Sequence, residues 1–536
     1  MQILYVGQLG TPRADCFQSF LTEHLGTTRS ASITDIGTLN FEGVDVTIVD
    51  GEPMSGPQPP DRLVAADLPT PTMLMGGAGG KVSDAIGLKL GWQHGCLCLD
   101  HRAIVDATSS EHPIFRGPVP LPDLVVEHIA TPDHYLRYTK VKRVPDKLAV
   151  AEIHHASPAL TDEERADYQR RMNEAAEAGD NAAMRAIVAE RPAPGLVSTG
   201  AGFLDSPDCE HILGGMNAKG HDYNAVGRQG RFLAWGFFGD PTAMTDLGRA
   251  LFLNALHYIA GFADAPIEAL CVQESREMLQ TSLVWIDESG DLLGSLFGGS
   301  TPNGIGTTPD SALAWYDVNR GYLRHVGTAS RGHYEVDEDL VALGVGNDDI
   351  KLLDTIAPLL ASDKRAQRLW QRYLRRDPAA AAAEQAWLAE HRDAMFFSDW
   401  AGYRWIARND PPELAAPYRA HTEEGPVTVT LTASREGDEV AVQASFFTRP
   451  GFYLYAPGAA DGIPVSIELA EDSAHELTEK PVFPTSDDHH LTGYVEVPFR
   501  VRGDERDVTV LVTVQACDAQ TCTPPSTLRL VASTGS

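Results

Sequence analysis

Positive charge is scarce in this chain. Against 74 Asp and Glu residues it sets only 43 Lys and Arg, a net charge of −31. That balance argues against nucleic acid and against anionic membrane surfaces as partners, and it suits a solvated acidic surface or a basic partner. Long apolar runs are missing too. No stretch approaches the roughly 18–20 residues needed to cross a bilayer, so no transmembrane segment is expected. Cysteine is sparse: seven in 536 residues (Cys16, Cys96, Cys98, Cys209, Cys271, Cys517, Cys522), too few and too scattered for a disulfide framework. No internal repeat stands out. The start, Met1-Gln2-Ile3-Leu4-Tyr5-Val6-Gly7, enters a strand at once, without the basic segment, apolar core or cleavage site of an export signal. As written, the chain is expected in the cytoplasm, where thiols are kept reduced.

What is present fits a globular protein of several domains, since 536 residues exceed one ordinary core and 43% are apolar against 22% charged. The first 265 residues alternate strands and helices. Gln2 to Val6, Val44 to Asp50 and Thr72 to Met75 read as strands, and Ala14 to Leu25 has helical spacing. Thr245 is placed to cap a helix from Asp246 to Ile259. This rhythm predicts an α/β domain with a parallel sheet. Residues 160–190 interrupt it as a charged, alanine-rich helical insertion. It opens with a capping box at Thr161-Asp162-Glu163-Glu164 and is split near Gly179-Asp180. The insertion is read as a solvated surface or, more pointedly, as a cover over the carboxyl edge of the sheet.

The segments Glu111-His112-Pro113-Ile114-Phe115-Arg116-Gly117, Gly227-Arg228-Gln229-Gly230-Arg231-Phe232 and Phe252-Leu253-Asn254-Ala255-Leu256 give residues 1–262 a resemblance to the class I glutamine amidotransferase-like fold, in its ThuA-like branch. The resemblance implies a flavodoxin-like domain and a nucleophilic cysteine on the elbow after Met73-Leu74-Met75. That elbow reads Gly76-Gly77-Ala78-Gly79-Gly80. With no Cys or Ser there, thioester or ester chemistry is impossible, and the domain is not expected to be a glutamine amidotransferase. The glycines are read first as a turn needing positive φ, and second as an anion cradle at a helix N-terminus. His112, Lys219 and Arg228 are the candidate contacts for a small polar ligand. His94, Cys96, Cys98 and His101 fall within eight residues, with His154, His155, His211 and His221 elsewhere. Their spacing matches no usual zinc pattern, so neither metal nor cofactor is expected, and buried free thiols are the favoured reading of Cys96 and Cys98.

Residues 266–420 read as mostly helical, from the apolar spacing of Leu352, Leu353, Ile356, Leu359 and Leu360 and of Leu369, Trp370, Tyr373 and Leu374. The aromatic patch between Phe396 and Trp405 is expected to pack in a core. Residues 410 to 426 read as a linker into a β domain at 424–533.

The C-terminal end holds the sharpest signal. Asp507 to Val514 is a β-branched strand, followed by Gln515-Ala516-Cys517, four residues, and Cys522-Thr523-Pro524-Pro525. If the loop closes a hairpin, the cysteines lie opposite each other with Cα atoms about 4.5–5.5 Å apart, within reach of a disulfide. The nearest charge in sequence, Asp518, would raise rather than lower a thiol pKa. A static staple or two reduced thiols are the alternatives. Together with Gly451-Phe452-Tyr453-Leu454-Tyr455-Ala456-Pro457 and Ile463-Pro464-Val465-Ser466-Ile467-Glu468-Leu469, the hairpin is similar to that of the N-terminal domain of the thiol:disulfide interchange protein DsbD. This resemblance implies an immunoglobulin-like β-sandwich, with Cys517 and Cys522 as the redox pair. It also implies a thioredoxin-like or other thiol protein as partner, and a place outside the cytoplasm. Phe483 is the candidate for the aromatic cap of that family.

Three functions are therefore expected, in order. The first is thiol–disulfide exchange at Cys517 and Cys522. The second is a carbohydrate-related enzyme or sugar-binding protein acting through the ThuA-like domain. The third is a non-catalytic scaffold.

Overall fold

A computed structural model of the chain describes residues 1–51, 59–60, 63–91, 95–105, 111–156, 161–178, 183, 187, 195–287, 290–299, 301–328, 331–408, 420–424, 427–436, 438–448, 452–459, 462–470, 473–484, 489–505, 507–518 and 522–533. It divides into two compact units, Met1–Ile267 and Glu268–Ser536.

The first unit is built on one mixed sheet. Its strands are β1 (Ile3–Gly7), β2 (Thr28–Ser32), β3 (Val46–Val49), β4 (Thr72–Met75), β5 (Gly95–Cys96), β6 (Arg102–Ile104), β7 (Glu127–Ala130), β8 (Lys147–Glu152), β9 (Val197–Thr199), β10 (Cys209–Gly215), β11 (Tyr223–Gln229) and β12 (Phe232–Trp235). The order β2-β1-β3-β4-β12 is parallel throughout. Beyond β12 the sheet turns antiparallel, through β11, β10, β6, β8 and β7. β1, β3 and β4 are buried at every position, which is why they read as continuous apolar runs rather than alternating ones.

Helix α1 (Pro12–Leu25) begins where Thr11 accepts the Ala14 N–H and Pro12 supplies a preset φ. It sends Phe17, Phe20 and Leu21 into the core. Helix α2 (Gly76–Ile86) follows β4 directly. Helix α3 (Asp162–Glu177) is the inserted one; its capping box is formed, and Arg170 pairs with Asp167 and Glu174 on an exposed face. The expected break at Gly179-Asp180 lies outside the described residues. Helix α4 (Asp246–Ala260) starts under the Thr245 cap and buries Leu251, Phe252 and Leu256. Phe252 meets Phe17 and Trp235 at ring-centroid distances of 5.9 and 5.3 Å, closing the core between sheet and helices. Each such side chain contributes about 1.5–3 kcal/mol by leaving water.

In the second unit, residues 268–408 combine short helices with two hairpins that the apolar spacing did not reveal. These are β13 (Leu323–Thr328) with β14 (Arg331–Val336), and β15 (Met395–Ser398) with β16 (Arg404–Ala407). The expectation of a mostly helical middle is corrected to that extent. The expected helical core is present in Leu352, Leu353, Ile356, Leu369, Trp370 and Tyr373, and Tyr403 and Trp405 of the aromatic patch pack into it.

Among the described residues, the regular structure of the C-terminal part is all β. One antiparallel sheet runs β17 (Ala420–Glu424), β18 (Val427–Glu436), β19 (Glu439–Thr448), β24 (Tyr494–Arg502), β22 (Glu476–Glu479). A second is β21 (Ser466–Leu469), β25 (Asp507–Val514), β27 (Ser526–Ser533), and a third β23 (His490–Thr492), β20 (Tyr453–Tyr455), β26 (Ala516–Cys517). Their inner faces share one core, in which Val508, Val510, Val512 and Val514 of β25 meet Val429, Leu431, Val442 and Phe446. Every second residue of β25 is buried, the period-2 signature of a strand with one covered face. The expected linker lies largely outside the described residues.

Candidate functional site

β25 delivers the chain to Gln515, and the next two residues form β26 against β20, with Leu454 opposite Ala516 and Tyr453 opposite Cys517. The chain returns at Cys522, which bridges antiparallel to Cys517. Side chains and backbone fix this return. Thr523 N–H donates to Ala516 O at 2.8 Å, and Ala516 N–H donates to Thr523 Oγ1 at 3.1 Å. Gln515 Nε2 donates to Thr523 O at 3.1 Å, while Gln515 Oε1 accepts the Ile463 N–H at 2.9 Å. Cys517 and Cys522 form a disulfide with Cα atoms 4.0 Å apart, closer than the expected spacing. The two halves of the bond differ. Cys517 is 0% exposed, while Cys522 lies at the surface.

Three rings surround β20 beside this bond. His490 stacks on Tyr453 at 3.8 Å between centroids, and Tyr455 stands edge-on to both, at 5.4 and 5.5 Å. The two phenol oxygens lie 3.4 Å apart. That contact raises the Tyr453 hydroxyl pKa, with a further contribution from the Asp518 carboxylate. His490 was not legible as part of the site, because it reaches β20 only through the pairing of β23, 27 residues before Cys517 in sequence. Phe483 packs against the core of the β domain, 6.5 Å from the Phe446 ring.

The three ligand candidates of the first unit do not converge. His112 and Arg228 meet on Glu210, whereas Lys219 is exposed in a turn held by Asn217 Oδ1, which accepts its backbone N–H at 2.6 Å. His112 Nδ1 accepts the Ile114 N–H at 3.3 Å, which leaves Nε2 to donate to Glu210 Oε1 at 3.2 Å. Glu210 Oε2 accepts from Arg228 Nε at 2.8 Å and from the Tyr258 hydroxyl at 2.6 Å. Burial pushes the Glu210 pKa up, but the hydrogen bonds from His112, Tyr258 and Arg228 outweigh it and hold the carboxyl at about 2. Arg228 also lies over the Phe262 ring at 4.0 Å. These groups satisfy one another, and the cluster fastens β10, β11 and α4 together.

At the carboxyl edge of the parallel strands the elbow is present but closed. Gly76 has φ +65°, and a Cβ on it would strike the Gly51 carbonyl and lie 2.8 Å from Asp50 Oδ1. The turn from β4 into α2 therefore has no room for a side chain at Gly76. Gly77 to Gly80 are the first turn of α2 rather than a separate loop, and the Gly77 N–H donates to Gly51 O at 2.8 Å instead of facing a ligand. A small cavity of about 10 Å³ remains beside Gly76, Gly79, Asn224 and Trp235. Sequence reasoning missed the polar group at this edge: Asp50, 0% exposed, accepts from the Tyr5 hydroxyl at 2.7 Å and from Arg13 Nε and Nη2 at 2.8 and 2.7 Å. Nearby His154 is also buried. Desolvation, reinforced by Arg13, lowers its pKa to about 4.

The reading of Cys96 and Cys98 as free thiols is corrected. The structure sets their sulfurs against each other, with Cα atoms 5.3 Å apart, within the range a disulfide spans. His94 lies outside the described residues, and among those described no group of three or more His, Cys, Asp or Glu residues could hold a metal.

No protein-family model matches the chain, and no curated protein matches it. Among solved structures it is similar to the N-terminal periplasmic domain of ScsB from Proteus mirabilis, at 16% identity over 22% of this chain and 51% of that one, TM-score 0.18. The match thus spans about half the length of the ScsB chain. It is similar also to the GAE domain of GGA2p from Saccharomyces cerevisiae (12% identity, 21% and 94% covered, TM-score 0.16). A third is the reduced N-terminal domain of DsbD from Neisseria meningitidis (16% identity, 20% and 83% covered, TM-score 0.13).

Proposed function

We propose that this chain exchanges thiols and disulfides with a thioredoxin-like or other thiol protein through Cys517 and Cys522. The observation that carries the reading is the asymmetry of the bond, with one buried sulfur-bearing residue and one exposed. A partner thiolate attacks Cys522 Sγ, forming a mixed disulfide and breaking the Cys517–Cys522 bond. Cys517 leaves as a thiolate and takes up a proton. A second partner thiolate then attacks the partner's own sulfur in the mixed disulfide and releases Cys522. Two electrons have moved to the hairpin, and the partner has become a disulfide. The reverse sequence oxidises the hairpin.

Three further features support this reading. The loop that the bond closes is short, so the bond constrains the unfolded chain less than a long-range one would. The hydrogen bonds of Thr523 and Gln515 hold the return of the chain independently of the sulfurs, so opening the bond does not require the strands to part. Tyr453, Tyr455 and His490 supply the aromatic, partly exposed surface on which a partner docks. The immunoglobulin-like assignment of the β domain, and an extracytoplasmic setting, belong to the same proposal. The strand order β2-β1-β3-β4-β12 supports reading the first unit as flavodoxin-like.

Single-cysteine variants of the full chain test the mechanism. Cys517→Ser leaves Cys522, which takes up glutathione as a stable mixed disulfide and alkylates at least about tenfold faster than Cys517 in Cys522→Ser. Equal alkylation rates, with unchanged exchange in both variants, would sink the proposal.

A further inference from the structure

We infer that Cys96 and Cys98 form a second, independent thiol–disulfide couple, located in the α/β unit and open to small dithiols or thiol proteins. The sequence creates it by a local contraction. Two residues apart on a regular strand, Cα atoms stand about 6.7 Å apart. Here β5 ends at Cys96, and the chain draws in until Cys98 lies 5.3 Å from it, inside the disulfide range. Both ends of the segment are anchored. Gly95 and Cys96 pair with Ser198 and Val197 of β9, a close approach in which a Cβ on Gly95 would lie 2.7 Å from Leu196 Cδ1. On the other side Leu99, 0% exposed, donates to Gly195 O at 3.4 Å, and Asp100 N–H donates to Met216 O at 2.7 Å. Neither anchor involves a sulfur.

Three consequences follow from this placement. The two thiols stay side by side when the bond opens, so reclosure is fast and needs no refolding. A bond spanning one intervening residue removes little entropy from the unfolded chain, which leaves it a poor staple. Both cysteines are half-buried at the margin of the core rather than sealed within it, so a reductant reaches them. Exchange runs as follows. A thiolate of a dithiol attacks one of the two sulfurs, the Cys96–Cys98 bond breaks, and the other cysteine leaves as a thiolate and is protonated. The second thiol of the dithiol then closes its own disulfide and frees the first cysteine. Two electrons and two protons have passed from the dithiol to the protein.

The test is peptide-resolved differential alkylation of the full-length protein after equilibration with dithiothreitol or glutathione buffers, with near-UV circular dichroism recording the fold. The expected result is a reversible step in which Cys96 and Cys98 become alkylated together while the fold persists. It is read on its own peptide and is therefore independent of the state of Cys517 and Cys522. In Cys96→Ser, Cys98 should take up one glutathione. Thiols that are alkylated even in oxidised glutathione would overturn the inference, as would a bond that native-state dithiothreitol never opens. If the variant misfolds, the wild-type titration alone decides.

Discussion

The Glu210 cluster and the C-terminal cysteine hairpin both gather polar or reactive side chains, and they end in opposite states. Around Glu210, a histidine, an arginine and a tyrosine converge on one carboxylate and are held by it. At the C-terminal hairpin, two sulfurs share a bond that one of them presents at the surface. The first cluster resembles a site by composition and acts as a fastener. The second holds fewer groups but presents one half of its bond at the surface. Residue type alone does not mark a functional site; capacity left over after the local partners are satisfied does.

The sharpest way to break that contrast is to cross the two clusters. In a Cys96→Ser, Cys98→Ser background, Cys522→Ser should lose exchange entirely with its fold intact, while Glu210→Ala should keep the parental exchange rate, both read by reduction of a disulfide-bonded reporter protein. Glu210→Ala should instead lower stability by about 1–2 kcal/mol in urea unfolding, because His112 and Arg228 lose their common acceptor. An unchanged midpoint would remove the fastener role.

The same carboxyl predicts an acid response. Its folded pKa lies below its ordinary value of 4.5, so its contribution is complete above that value and fades as pH falls towards about 2. His154 gives a second, separable window. It is held neutral in the fold, whereas the unfolded chain binds a proton below about 6.5. Stability should therefore decline as pH falls from 6.5 towards 4, and His154→Gln should flatten that part of the profile. The smallest expected effect is at the docking rings. Tyr453→Ala should slow exchange with a protein partner by about two- to tenfold while leaving exchange with glutathione unchanged. Equal slowing of both would assign Tyr453 to the chemistry of the bond instead.

Much of this architecture was legible in the sequence where a single period dominates. The strand expected at 507–514 is β25, and the helix expected from Asp246 to Ile259 is α4, ending one residue later. The hairpins β13–β14 and β15–β16 were not legible. Leu323-Arg324-His325-Val326-Gly327-Thr328 carries its polar residues without strict alternation, and what sets these strands is tertiary pairing. The cysteine hairpin was visible because both its residues are local. The stacking of His490 on Tyr453 and the meeting of His112 with Glu210 depend on strand pairing or tertiary packing between distant segments, which no local pattern encodes. Cys96 and Cys98 read as buried free thiols in the sequence. The contraction that brings them together comes from β5 ending after two residues against β9.

The central claim rests on one redox couple, and one titration tests it most directly. The full-length protein is equilibrated in glutathione buffers, and the Cys517–Cys522 peptide is followed by alkylation and mass spectrometry. The account predicts a reversible two-electron midpoint between roughly −180 and −300 mV, within reach of cellular thiol partners. A bond that stays oxidised far below that range, or thiols that never pair, would contradict it.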